Sequence, residues 1–72
     1  MMTLEHLIES ALLAIEEADK KGIRAYDAVT QSKLIQEQAK EVGIHIEDVW
    51  YIAQHVRWQD EIKAKYGYKI PD

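Results

Sequence analysis

The sequence contains no cysteine, one proline and three glycines, and nowhere does it run apolar for long. Without cysteine, neither disulfides nor thiolate metal sites can reinforce the fold. No stretch approaches the roughly 20 apolar residues of a membrane span. Met1-Met2-Thr3 leads directly into Leu4-Glu5-His6 without a basic segment or an apolar run of the signal-peptide kind. A soluble, cytoplasmic chain is the expectation. Basic residues are also few, 9 Lys and Arg against 13 Asp and Glu, for a formal net charge of −4. A nucleic-acid binder carries its phosphate contacts on Lys and Arg, and that excess is missing overall.

The 72 residues make a single domain, with no room for two cores. A chain of this length buries only about 60% of its unfolded surface. Capped helices and self-association are its remaining sources of stability.

The three glycines act as punctuation. Gly22, Gly43 and Gly67 each follow a helical pattern, and each is followed by an apolar residue: Ile23, Ile44 and Tyr68. Glycine accepts positive φ without a Cβ clash, and the next residue folds back on the last turn. The prediction is an all-α, compact domain of three helices over residues 4–21, 25–42 and 46–66, with a short tail over 67–72 containing Pro71.

In the first helix, which Thr3 is placed to cap, Leu4, Leu7, Ile8, Ala11, Leu12, Ala14, Ile15 and Ala18 share one face. Glu5, Glu9, Glu16, Glu17 and Lys20 take the other, and Leu13 falls on the polar side. The second helix is expected to bury Ala25, Ala28, Ser32, Ile35, Ala39 and Val42, with Val29 and Leu34 off the stripe. The motif GIRAYDAV at Gly22 partly echoes GIHIEDVW at Gly43, which suggests one turn solution used twice.

In the third helix Glu47 and Asp48 occupy the first turn, where the helix dipole favours acids. Val49, Ile52, Ala53 and Val56 form one apolar stripe, assigned to the core. Tyr51, His55, Trp58, Ile62 and Tyr66 form another, rotated by well over about 90° on an ideal helix. Two placements suit this second stripe. It packs on the end of the first helix with Tyr68 and Ile70, or it is an exposed seam for a protein partner or a second copy. In the latter case Trp50 adds a contact, and Arg57 beside Trp58 adds a residue type enriched at binding hot spots.

Residues 35–54 have the spacing of two helices closed on a glycine turn. Ala39 stands four positions before Gly43, Val42 and Ile44 flank the glycine, and Val49 and Ile52 come after it on the inner side. A small residue allows steep approach, and the four aliphatics fill the wedge. This segment resembles the helix-turn-helix motif of small phage and bacterial regulators. The resemblance implies a helix-turn-helix-like pairing of the second and third helices. It would turn His45, Ile46, Glu47, Trp50, Tyr51 and Gln54 toward DNA. Of these only Gln54 belongs to the side chains favoured for base readout. Between Thr30 and Asp60 the bases are Lys33, Lys40 and Arg57, against Glu37, Glu41, Glu47, Asp48 and Asp60. Electrostatics thus disfavours DNA.

No catalytic signature is present. His6, His45 and His55 are far apart, and His45 with Asp48 supplies two metal ligands at most. The sequence contains no HExxH pair, glycine-rich phosphate loop or G-x-S-x-G turn. The expectation is a non-enzymatic regulatory or adaptor protein without a cofactor, which binds a protein through Trp50, Tyr51, His55, Trp58, Ile62 and Tyr66.

Overall fold

The computed structural model describes residues 2–66, apart from the side chains of residues 62, 63 and 66. Gly67, Tyr68, Ile70 and Pro71, to which the sequence assigns a third turn and a tail, lie outside this range. The described residues form four helices: α1 (Leu4–Lys21), α2 (Ala25–Thr30), α3 (Lys33–Val42) and α4 (Ile46–Tyr66). All regular structure among them is helical.

Thr3 caps α1 as expected. Its backbone is extended, and its hydroxyl oxygen accepts from the His6 N–H at 3.2 Å. At the other end Gly22 adopts φ 71°, which lets the Ile23 N–H return to the Ala18 carbonyl at 2.9 Å. Gly43 ends α3 the same way at φ 88°, and the Ile44 N–H reaches the Ala39 carbonyl at 3.0 Å. Both turns share the long return bond of a Schellman closure, and only glycine takes that backbone region without strain.

The predicted second helix is in fact two helices, so the described residues form four rather than three. The chain breaks at Gln31-Ser32, between α2 and α3. Thr30 donates its hydroxyl back to the Tyr26 carbonyl at 2.8 Å, competing with the backbone ladder. Ser32, expected on a buried stripe, is instead the N-cap of α3, its side chain accepting from the Ile35 N–H at 3.3 Å. Gln36 then reaches back from α3 and donates to the Thr30 carbonyl at 2.7 Å. The break also corrects the placement of Val29. On a straight helix Val29 and Ile35 would point about 120° apart. With the axis redirected both enter the core, at 0% and 2% exposure.

Leu7, Ile8, Ala11, Ile15, Val29, Ile35, Ala39, Val49 and Ala53 form one buried cluster. Half-buried Leu12, Ala14, Ala25, Val42, Ile44, Ile46, Trp50, Ile52 and Val56 surround it. α1 packs against each of the other three helices and is the spine of the domain. Its buried stripe begins at Leu7. Leu4, expected on that face, sits one turn earlier and is exposed. Leu13 and Leu34 lie outside, as their helical positions predict. Among the described residues, no helix is long and apolar enough to cross a membrane.

Candidate interaction face on α4

α4 begins at a compact cap. The Nδ1 of His45 accepts from the Glu47 N–H at 3.2 Å, and the His45 carbonyl accepts from the N–H groups of Asp48 and Val49. Glu47 and Asp48 then place negative charge where the helix dipole is positive. From this start the helix presents two unlike sides. Val49 and Ala53 are fully buried, and Ile52 and Val56 pack against them as half-buried neighbours. These four are the core stripe expected from the sequence.

On the side rotated by roughly 130°, Tyr51 is 66% and Trp58 48% exposed. His55 lies between them, exposed, with its Nε2 at 3.0 Å from the Gln59 amide nitrogen. The side chains of Ile62 and Tyr66, predicted on the same stripe, are outside the described residues. Tyr and Trp carry large apolar surface with a polar tip, which suits a contact made and broken in water.

Trp50 has a different setting. It is half-buried against the core, and its ring meets that of Tyr26 edge-on, with centroids 5.4 Å apart and planes at 87°. Trp50 therefore ties α4 to α2, and its ring is largely engaged inside the protomer. Arg57 also turns away from its neighbour Trp58. Its guanidinium pairs with Asp19 at the end of α1 and with Glu61 at 3.4 Å. Neither partnership was legible from local spacing, since Tyr26 and Asp19 are distant in sequence from the residues they meet.

The residues that the helix-turn-helix resemblance would turn toward DNA are dispersed among different tasks. His45 caps α4, Ile46 packs against the core, and Trp50 meets Tyr26 edge-on. Tyr51 and Glu47 are exposed, and Gln54 is half-buried. Beside the Gly43 turn lies an open groove of about 300 Å³, lined by Gln36, Ala39, Lys40, Ile44, His45 and Ile46. Lys40 is its one lysine or arginine, and Ala39, Ile44 and Ile46 make half of its lining aliphatic. Among the described residues, no three His, Asp or Glu side chains come together in a way that could hold a metal ion.

Known protein families, curated proteins and solved structures were compared with the chain, and none of them matches it.

Proposed function

We propose that the chain is a small, non-enzymatic adaptor or regulatory module that binds a protein through the outer face of α4. One observation carries this reading. Tyr51 and Trp58 stand exposed on a single side of a helix whose other side already fills the core. A helix on the surface of a domain needs one apolar face, so the second is available for a partner. Tyr and Trp are also the residues that dominate binding energy at interfaces. The acidic surface points to a protein partner rather than a nucleic acid.

Thermal unfolding of Tyr51→Ala and Trp58→Ala, followed by circular dichroism, tests the premise. Each variant is expected to melt cooperatively within about 1 kcal/mol of the parent, because an exposed ring leaves little cavity when removed. A loss of about 3 kcal/mol or more, as a buried aromatic gives, would return both rings to the core and remove the reading.

A DNA-binding role on a helix-turn-helix scaffold is the second reading. What supports it is the α3–Gly43–α4 segment, with Ala39 buried four residues before the left-handed glycine and Val49 buried six residues after it. In that role α4 is the recognition helix. Gel-shift titration on mixed duplexes at low salt decides it. Absence of binding, or binding without a steep salt dependence, rules the role out.

A further inference from the structure

Along α4, positions 48, 51, 55, 58, 62 and 65 are Asp48, Tyr51, His55, Trp58, Ile62 and Lys65. Their spacing alternates between three and four residues, the a/d register of a helix that pairs with another helix. Asp48, Tyr51, His55, Trp58 and Lys65 are all exposed, while Val49 and Ala53 on the opposite side are buried. The register is thus not the one used to build the domain. It is also polar at its ends, with an acid at one end and a base at the other. Gln54 and Gln59 flank its middle without charge.

We propose that this seam is covered by the same seam of a second copy, running antiparallel about a two-fold axis between positions 56 and 57. The inference rests on the α4 binding face proposed above and identifies its occupant. Charge decides the direction. In the antiparallel register Asp48 of each copy meets Lys65 of the other, and His55 meets Trp58. Opposite charges therefore close the seam at both ends. A parallel pair would set Asp48 against Asp48 and Lys65 against Lys65, with two imidazoles facing each other at position 55. Like charges directly opposed disfavour that arrangement. The antiparallel contact is isologous, so each favourable pair occurs twice.

Lys65 and His55 already make contacts within their own chain. Exposed contacts of that kind are weak and exchange readily. The seam from Asp48 to Lys65 is about 25 Å long at 1.5 Å per residue. A single helix pair of that length falls short of the roughly 800 Å² per partner of a standard interface, so the expected dimer is micromolar rather than nanomolar.

Sedimentation equilibrium over about 10 µM to 1 mM, at near-physiological salt so that long-range repulsion is screened, tests the proposal. The wild type is compared with Asp48→Lys, Lys65→Asp and the double swap. Each single change turns two attractive pairs into repulsive ones, and should weaken the dimer by about tenfold. The double swap restores opposite charges across the axis and should return the dimer to near wild-type strength. Asp48→Lys also removes an acid from the first turn of α4, so its melting curve is recorded alongside. The double variant keeps that change, so its recovery cannot come from repairing the helix start. A wild type that is monomeric throughout overturns the self-pairing, as does a dimer that the double swap fails to restore. A monomer leaves the aromatic face open to a different protein. Unfolding of Tyr51→Ala and Trp58→Ala instead removes the binding face itself, so the two failures are separable.

Discussion

Gly22 and Gly43 each close a helix at positive φ, and each is followed by an isoleucine whose N–H returns to the carbonyl five residues earlier. Two residues further on, a new helix starts in both places. After Gly22 that helix lasts 6 residues, and after Gly43 it lasts 21. The isoleucines differ too, since Ile44 packs against the core whereas Ile23 is 51% exposed. The turn is therefore a local device set by one glycine and one pair of hydrogen bonds. The length of the next helix is decided by other residues. α2 has no side-chain cap at its start and meets competing Thr30 and Ser32 side chains at its end. α4 starts on the His45 cap with acids in its first turn.

Substitutions can separate the local device from its surroundings. The largest difference is expected at the isoleucines. Ile44→Ala should lower stability by about 2 kcal/mol, because half-buried surface is lost and a cavity remains. Ile23→Ala should stay within about 0.5 kcal/mol, as for an exposed site. Chemical denaturation of both variants measures the contrast, and equal losses would refute the distinction.

At the glycines themselves the two turns should respond alike. A Cβ at either position meets nothing within 4 Å, so only backbone strain opposes Gly22→Ala and Gly43→Ala. Each should cost about 1–2 kcal/mol, with asparagine milder at both sites. A much larger loss at Gly43 would mean that the second turn depends on more than φ. Ser32→Ala removes the α3 cap and should lower stability by about 1 kcal/mol. Amide exchange would show whether the protection lost lies in the first turn of α3. Smaller than the loss of the cap is the effect of Arg57→Ala. Its partners Asp19 and Glu61 are well exposed, so the effect should be below about 1 kcal/mol and shrink further in high salt.

Much of this was readable from the residues in order. Thr3, Gly22 and Gly43 announce helix ends through local hydrogen bonding, and the structure uses them so. The core stripe of α4 was equally plain, as was the exposure of Leu13 and Leu34. The break at Gln31-Ser32 was not, because Thr, Gln and Ser are tolerated inside helices. The gain from burying both Val29 and Ile35, together with the Thr30 back-bond and the Ser32 cap, selects the bent path. The Tyr26–Trp50 contact and the Arg57–Asp19 pair, 38 residues apart, join distant segments and leave no periodic trace. For the candidate face, helical geometry alone separates Tyr51 and Trp58 from the core stripe. The engagement of half-buried Trp50 by Tyr26 depended on the tertiary position of α2.

The brevity of α2 has a kinetic consequence. A helix of 6 residues is far below the length at which helical structure sustains itself in water, so its shape is lent to it by α1 and α4. When the domain breathes, this segment should open first. It would release Tyr26 from Trp50 and briefly enlarge the aromatic surface around the start of α4.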